Sequence, residues 1–499
     1  MSSIVDNTEL STLRRIFWPV KSSEIHHFFA ITFLIFFALF NQNILRILKD
    51  TLLISEVSPE VTSFVKVWCV TPAAGLFILI YAKMINHFSF TKTYYILITA
   101  FTSFFAFFGF VIFPNINTFH PDPANIKTLM QANPYLQWYI ALLGNWSYVI
   151  LYVLSELWPN IFYILMCWQI ANQITSSEQA RRFYTFMVFI ANSSVVLVGF
   201  VMKGIARGES FLFNYCSGKS HTESMVQISM SMVCVGSIIM LLIIKSISKH
   251  NSLSASPLKK QNKMGLLDSM KYIVQSRYLW LMLICSASFG LTMNLVEAVW
   301  KSKINELYPS MDGYAEYFSN TIMWTGVMIM LITLVGNSLM RFCGWLTTAM
   351  MTPVIILITG TIFFILVVFE TKIHSLFNII YLAPPLALAV SVGMIQNVLA
   401  KGSKYSVWDS CREMLYIPLD QELKTKGKAA VDVVSSKIGK SMSSVVQSIL
   451  FTIFPMATYN SIAPVMMIVF IIFMIAWIAA LKEVSKDYTS LLNNENIKS

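Results

Sequence analysis

The sequence predicts an all-α integral membrane protein with twelve transmembrane helices arranged as two six-helix halves. Its 499 residues are 56% apolar and only 12% charged, whereas about a quarter of the residues in a typical soluble protein are charged. Apolar stretches of about 18 to 24 residues recur along the whole chain, which is the length that crosses a bilayer as a helix. An alternation of basic and neutral connections and a short internal repeat support the same fold class.

The predicted helices follow one another along the chain with mostly short connections. They span residues 28–52, 61–83, 93–113, 137–172, 184–206, 225–246, 278–303, 316–340, 344–368, 375–400, 429–454 and 461–481. The predicted organisation is a tail (1–27), a first half (28–246), a linker (247–277), a second half (278–481) and a second tail (482–499). The linker is polar, basic and rich in serine, as a flexible connection between two folded halves should be.

Lysine and arginine accumulate in every second connection. The region from Lys245 to Arg277 carries seven of them, whereas the connection at 114–136 carries only Lys127. Both tails are also basic, with Arg14, Arg15 and Lys21 at one end and Lys482, Lys486 and Lys498 at the other. The positive-inside rule therefore predicts that both termini are cytoplasmic. Since this topology accounts for the net charge of +11, a nucleic-acid partner is not expected.

The two predicted halves are related by a short repeat. Residues 43–59 align with residues 294–310 with almost no gap. The alignment places Arg46 opposite Glu297 and Asp50 opposite Lys301, at the same point of the first helix of each half. Two parallel six-helix repeats that flank a cytoplasmic loop are the architecture of the major facilitator transporters, whose binding site lies between the halves.

Charged residues inside the predicted helices mark a candidate binding site, because a charge in the bilayer interior is costly unless it faces a partner or a wet cavity. Arg46, Lys49 and Asp50 are spaced so that they share one broad face of the first helix. Glu297 and Lys301 repeat this arrangement in the seventh helix. The other charged residues of the set are Lys66 in helix two, Glu156 in helix four, and Lys437 and Lys440 in helix eleven. In helix eleven, Ser441, Ser444 and Gln447 lie on the same side as the two lysines and extend a polar stripe.

Two interpretations of these charges are open. The side chains could pair with one another only to fix helix packing, for example Lys49 with Asp50 or Arg46 with Glu156. Cations outnumber carboxylates in the set, however, so a cavity lined by them would keep surplus positive charge and concentrate anions. The sequence therefore predicts a multiply anionic substrate that binds between the two halves.

Enzyme and metal chemistry find no support in the sequence. The stretch "KIGKS" (437–441) resembles the end of a phosphate-binding loop, but Val434 stands where that loop needs glycine and no strand precedes it. The seven cysteines are scattered, and no Cys/His cluster has the spacing of metal ligands, so neither a cofactor nor a metal ion is expected. A membrane-bound enzyme is the more distant alternative.

Six long motifs stand in order along the chain. They are "LRILKDTLLI" (45–54), "SELWPNIFYILMCWQIANQIT" (155–175), "EQARRFY" (178–184), "NLVEAVWKSKINELYP" (294–309), "KYSVWDSCREMLYIPLD" (404–420) and "KGKAAVDVVSSKIGKS" (426–441). These motifs resemble the ATP/ADP translocase family, the nucleotide transporters of obligate intracellular bacteria and plastids. The resemblance extends from about Leu13 to Tyr488, nearly the whole chain.

The resemblance implies a major-facilitator-like antiporter that imports external ATP in exchange for internal ADP by alternating access. It also implies a multi-pass protein of the cell inner membrane, and a monomer is expected. By motif, the substrate-critical residues of the family fall on Lys49, Glu156, Glu297 and Lys440. The helix-face argument selects the same four positions independently.

The chain departs from the family pattern directly after Lys440. Met442 and Ser443 replace the two glycines of the usual "GKSGG", which reduces close backbone approach at this point. The departure leaves a different nucleotide preference open, so transport of GTP, GDP, CTP or UTP is an alternative to ATP/ADP exchange. Proton-coupled uptake, with Glu156 or Glu297 as the proton carrier, is a further alternative.

Overall fold

The structure is a computed structural model that describes residue 20 and residues 24–175, 177–209, 213, 220–250, 273, 276–372, 384–419 and 427–498. Within these ranges all regular secondary structure is helical. Lys437 and Lys440 lie on a described helix, but their side chains fall outside the described set. The roles predicted for these two lysines therefore stay predictions.

Twelve helical segments correspond to the predicted spans. The first half contains α1 (Ile25–Glu56), α2 (Val61–His87), α3 (Phe90–Phe119), α4 (Trp146–Ile174), α5 (Ser177–Ala206) and α6 (His221–His250). The second half contains α7 (Arg277–Leu307), α8 (Met311–Leu334), α9 (Phe342–Val368), α10 (Pro385–Met414), α11 (Lys428–Ile453) and α12 (Tyr459–Lys498). Within the described residues, eleven helices are long and apolar enough to cross a membrane, and α11 adds the shorter apolar segment Ser441–Ile453. A multi-pass helical membrane protein is thereby confirmed, while the count of twelve spans stays a prediction.

Helices α8 and α9 belong to one helical run, Met311–Val368, that is interrupted at a single residue. Gly344 adopts φ 75° and ψ 170° there, a backbone conformation that residues with a Cβ rarely adopt. The predicted break, between residues 340 and 344, thus ends at this non-helical glycine.

Several predicted helix ends are wrong. The predicted helix 137–172 is broken at Asn145, and a short helix, Pro123–Ala132, occupies the predicted connection 114–136. Helix α10 continues to Met414 through residues that were predicted as a basic connection, because neither proline nor glycine follows Gly402 before Pro418. The last helix likewise continues beyond residue 481 to Lys498, since its polar end meets no helix breaker.

Helices α1 and α7 lie at the centre of their halves. The buried residues of α1 pack against α4, α5 and α6, and those of α7 pack against α10, α11 and α12. The halves meet most closely along α5 and α8. A Cβ added at Gly199 would lie 2.5 Å from the backbone nitrogen of Met323, and one at Gly326 would lie 2.9 Å from that of Val196. These glycines allow the two helices to cross with their backbones in near contact.

Polar contacts join the halves at the side where α1, α5, α7 and α11 end, which we call the far side. Three of them form a row that we call the far-side seam. It consists of Lys203 Nζ to Asn320 Oδ1 (3.3 Å), Arg207 Nε to Glu316 Oε1 (2.6 Å) and His221 Nδ1 to Asp312 Oδ2 (2.9 Å). Nearby, Gln137 donates to the carbonyl oxygen of Pro455, and the Trp138 ring packs edge-on against Phe451. The far side is therefore held closed in this conformation.

Candidate substrate-binding site between the halves

The charged face of α1 is buried near the centre of the molecule. Arg46, Lys49 and Asp50 follow one another at helical spacing, so their side chains leave the same face of α1. The side chains of Lys49 and Asp50 are 4% and 0% exposed, while that of Arg46 is 25% exposed. Ionised groups that are buried this deeply require direct partners.

Two of those partners belong to the other half. Arg46 Nη2 lies 2.9 Å from Glu297 Oε1, and Lys301 Nζ lies 2.8 Å from Asp50 Oδ2. Both ion pairs join α1 to α7. In the sequence repeat, Arg46 corresponds to Glu297 and Asp50 to Lys301. The structure thus pairs repeat-related positions with each other, as expected for residues close to a pseudo-two-fold axis between the halves.

Further ion pairs lie within each half. In the first half, Lys49 contacts both Asp50 (2.8 Å) and Glu156 of α4 (2.9 Å). In the second half, Glu297 contacts Lys301 (3.0 Å) and Lys401 of α10 (3.4 Å). Each half therefore connects its central helix to α4 or α10 through one acid–base pair.

Lys401 was not among the predicted site residues. It was assigned to a basic connection after residue 400, whereas the structure places it inside α10 with its side chain 12% exposed. The lack of a helix breaker before Pro418 was the signal that the helix continues past it. In the structure, π-helical turns begin three residues after Glu156 in α4 and three residues after Lys401 in α10, so the two side chains have similar local backbone settings.

Lys66 approaches the cluster from α2. It lies in a π-helical turn, Val65–Val70, a feature that often marks functional positions in helices. Its Nζ lies 3.3 Å from the side-chain oxygen of Asn294 on α7, a neutral partner from the other half. The ammonium group is also close enough to Lys49 and Lys301 to be repelled by both, and close enough to Glu156 and Glu297 to be attracted by both.

Aromatic rings cover the buried cations. Lys49 Nζ lies 3.9 Å from the centre of the Tyr152 ring, and Phe318 lies beside both Arg46 (5.9 Å) and Lys301 (5.4 Å). Such rings attract cations through their negatively charged faces. Sequence analysis did not single them out, because aromatic residues are common in every span.

The structure brings together seven of the nine predicted site residues: Arg46, Lys49, Asp50, Lys66, Glu156, Glu297 and Lys301. The suggested pair of Arg46 with Glu156 is wrong: Arg46 pairs with Glu297, and Glu156 pairs with Lys49. With Lys401, the cluster holds five cations and three carboxylates among the described residues. It therefore keeps two surplus positive charges.

The described part of α11 also turns its polar stripe towards the protein. Gln447 is buried and donates to Ser443 (3.0 Å) while it accepts from the hydroxyl of Tyr459 (3.0 Å). Ser441 lies 3.4 Å from Thr71 of α2, so this stripe reaches the boundary between the halves. No group of three or more His, Cys, Asp or Glu side chains that could hold a metal ion occurs among the described residues.

Solved transporters share the fold of this chain. A bacterial homologue of the iron transporter ferroportin in an inward-facing state aligns with a TM-score of 0.57 and 12% identity, covering 95% of this chain and 99% of that one. A D-xylose–proton symporter aligns with a TM-score of 0.51 and 13% identity, covering 92% and 97%. These similarities confirm the major-facilitator-like fold predicted from the repeat.

Sequence comparison is more specific. The "ADP,ATP carrier protein 5" of Rickettsia felis is 52% identical over 488 residues, which cover 96% of this chain and 98% of the relative. Residues 4–488 match the family described as the TLC ATP/ADP transporter. Both matches run through all the helices that build the charge cluster. The chain therefore belongs to the TLC ATP/ADP transporter family.

Proposed function

We propose that the chain is a nucleotide antiporter that imports ATP in exchange for ADP by alternating access. The observation that carries this proposal is the buried cluster between the halves, in which five cations face three carboxylates. A nucleotide polyphosphate supplies the missing negative charge. Family membership and the printed name of the Rickettsia relative favour adenine nucleotides as the substrate.

The proposed mechanism starts from competition for cations. In the far-side-closed conformation, Arg46–Glu297 and Asp50–Lys301 join the halves through ion pairs. The oxygens of an entering phosphate chain compete with these carboxylates for the same cations, which loosens the halves from each other. The halves then rock about the occupied site until the opposite side is open.

Strict exchange follows from the charge balance of the site. An empty cavity that closes would bury two surplus positive charges without counter-ions, and buried unpaired charges are strongly destabilising. A bound nucleotide removes this penalty, so the reorientation proceeds only when the site is loaded. Lys437 and Lys440 of α11 are proposed to add further positive charge to the same cavity.

The proposed setting is the cell inner membrane, with both termini and the 247–277 linker in the cytoplasm. The far side is then external, and the described conformation is closed to the outside. Since the whole charge cluster comes from one chain, a monomer is sufficient for transport.

One competing substrate class is favoured by a specific observation. Met442 stands where the family usually has glycine, and its side chain is 42% exposed directly after Ser441 at the boundary of the halves. A bulky side chain at this point changes the space available to a nucleotide. Exchange of GTP, GDP, CTP or UTP is therefore the second candidate function.

Counterflow in proteoliposomes tests the proposal. Vesicles that contain the purified full chain and are loaded with unlabelled ADP should take up labelled ATP much faster than empty vesicles. A panel of ATP, ADP, GTP, CTP and UTP as competitors then identifies the preferred base. Uptake that ignores internal nucleotide but follows an imposed pH gradient would replace antiport by proton coupling. Absence of uptake for every nucleotide would refute the proposal.

A further inference from the structure

We infer that Lys401 contacts the phosphate chain of the transported nucleotide together with Lys66, the other cation of the site that lacks a short ion pair. The inference rests on the proposed function, because it assigns a substrate contact within the same site. It adds a residue that lies outside the motif positions at which the family resemblance places substrate-critical residues.

The carboxylates of the cluster are already shared among several cations. Asp50 contacts Lys49 and Lys301, both at 2.8 Å, with one lysine on each oxygen. Glu297 Oε1 lies 2.9 Å from Arg46 and 3.0 Å from Lys301. Three of the five cations thus have a carboxylate at 3.0 Å or closer, within the normal range of a charge-assisted hydrogen bond.

Lys401 and Lys66 lack a contact of that quality among the described residues. Lys401 has only Glu297 Oε2, at 3.4 Å, the longest ion pair of the cluster. Lys66 has only the neutral side chain of Asn294, at 3.3 Å. Among the five cations of the described cluster, these two lysines therefore have the weakest direct contacts with a negative charge.

Their positions suit a ligand that bridges the halves. Lys66 comes from α2 of the first half, and Lys401 comes from α10 of the second half. Both are close enough to Glu297 and Lys301 for direct electrostatic interaction, so they surround the same part of α7. A phosphate chain that contacts both lysines would replace direct ion pairs between the halves by contacts that run through the substrate.

Lys401 is nearly removed from solvent but poorly paired. Its side chain is 12% exposed, so it has lost most of its hydration without gaining a short ion pair. A phosphate oxygen can approach an ammonium group to within about 2.7–2.9 Å, and the phosphate chain carries several negative charges, whereas Glu297 shares one among Arg46, Lys301 and Lys401. Substrate binding therefore exchanges the Lys401–Glu297 contact for a Lys401–phosphate contact.

A purely structural role can be separated from a substrate contact, because two different variants remove the same ion pair. Lys401→Gln removes a cation that the nucleotide needs, whereas Glu297→Gln removes the carboxylate that competes with the nucleotide. A merely structural pair predicts that both variants weaken nucleotide binding. A substrate contact predicts that the first variant weakens binding and the second strengthens it.

The experiment measures equilibrium binding of labelled ATP and ADP to the purified full chain in nanodiscs. Lys401→Gln should raise the Kd about ten- to a hundredfold, the usual range for the loss of a charged hydrogen bond, and Glu297→Gln should lower it. Lys401→Arg keeps the charge and should stay within about threefold of the unaltered chain. The matched control is Lys404→Gln on the same helix, since Lys404 has its own partner, Asp409, at 3.0 Å.

The outcomes distinguish this inference from the proposed function. Failure of the unaltered chain to bind or exchange any nucleotide refutes the proposed function itself. Nucleotide exchange by the unaltered chain together with an unchanged Kd in Lys401→Gln, or with Kd shifts of the same sign in both variants, overturns the role of Lys401 alone. If Lys401→Gln does not yield folded protein, Lys401→Gln combined with Glu297→Gln replaces it, and its Kd should exceed that of Glu297→Gln about ten- to a hundredfold.

Discussion

Arg46 and Glu297 lie 2.9 Å apart in space and 251 residues apart in sequence, and the same 251 residues separate the paired Asp50 and Lys301. This number is also the offset of the internal repeat. Each of these ion pairs therefore joins two equivalent positions of the two halves, with opposite charges. Two cations of the described cluster, Arg46 and Lys301, are thus paired across the repeat, and these pairs join α1 to α7 at the centre of the molecule.

Replacement of Asp50 should destabilise the fold strongly. Asp50→Asn leaves Lys49 and Lys301 facing each other without the carboxylate that both contact at 2.8 Å. Because Asp50 is fully buried, we expect the free energy of unfolding to fall by about 3–5 kcal/mol, as measured by chemical unfolding in detergent. Glu316→Gln removes a partly exposed ion pair and should cost about 0–1 kcal/mol. Equal losses in the two variants would contradict this prediction.

A larger side chain at Gly199 should disfavour the far-side-closed conformation. Any Cβ there would meet the backbone of Met323, so Gly199→Leu must separate α5 from α8 at an expected cost of about 1–3 kcal/mol. We expect slower nucleotide exchange and faster labelling of a cysteine introduced at Asn320 by an impermeant thiol reagent. Gly204→Leu on the same helix is the control, because a Cβ there has no neighbour within 4 Å. Similar exchange rates in both leucine variants would argue against a tight crossing.

The far-side seam should behave as a charge-dependent gate. Glu316→Arg places two cations together where Arg207 Nε and Glu316 Oε1 now lie 2.6 Å apart, so the closed state is weakened and exchange should slow several-fold. The double variant Arg207→Glu with Glu316→Arg restores an opposite-charge pair and should recover most of the rate. Counterflow in proteoliposomes measures both rates. A double variant as slow as the single one would show that the charges themselves do not hold this gate.

Exchange should respond to the membrane potential if the substrates are ATP and ADP. The exchange moves about one net charge, so a potential of 100 mV biases it by about 2.3 kcal/mol, roughly fiftyfold in the accumulation ratio. Labelled ATP uptake into ADP-loaded vesicles should therefore change in opposite directions when a potassium diffusion potential is reversed. Exchange of equally charged nucleotides, such as ATP for ATP, is the internal control and should be insensitive to the potential.

The central part of the site could be predicted because its signals are local. Arg46, Lys49 and Asp50 share a face of one apolar helix, and the repeat directs attention to Glu297 and Lys301. Charges that interrupt a hydrophobic span need partners, so their grouping follows from the cost of burial. The fold class followed from the same contrast between apolar spans and basic connections.

Lys401 and the far-side seam could not be predicted, because the roles of their residues depend on partners that are distant in the sequence. Lys401 resembles an ordinary basic residue after a span until α10 is seen to continue beyond it. Asp312 and Glu316 lie at a helix beginning, where acidic residues are common, and their partners His221 and Arg207 are 91 and 109 residues away. Single-sequence patterns report periodicity along one helix, whereas these contacts are set by how separate helices pack.

The inverted charges of the repeat also decide which halves can assemble. If two copies of the first half packed together as the two halves do here, Arg46 would face Arg46 and Asp50 would face Asp50. In two copies of the second half, Lys301 would face Lys301. At these two positions, two copies of the same half would place like charges against each other, whereas the two different halves place opposite charges against each other.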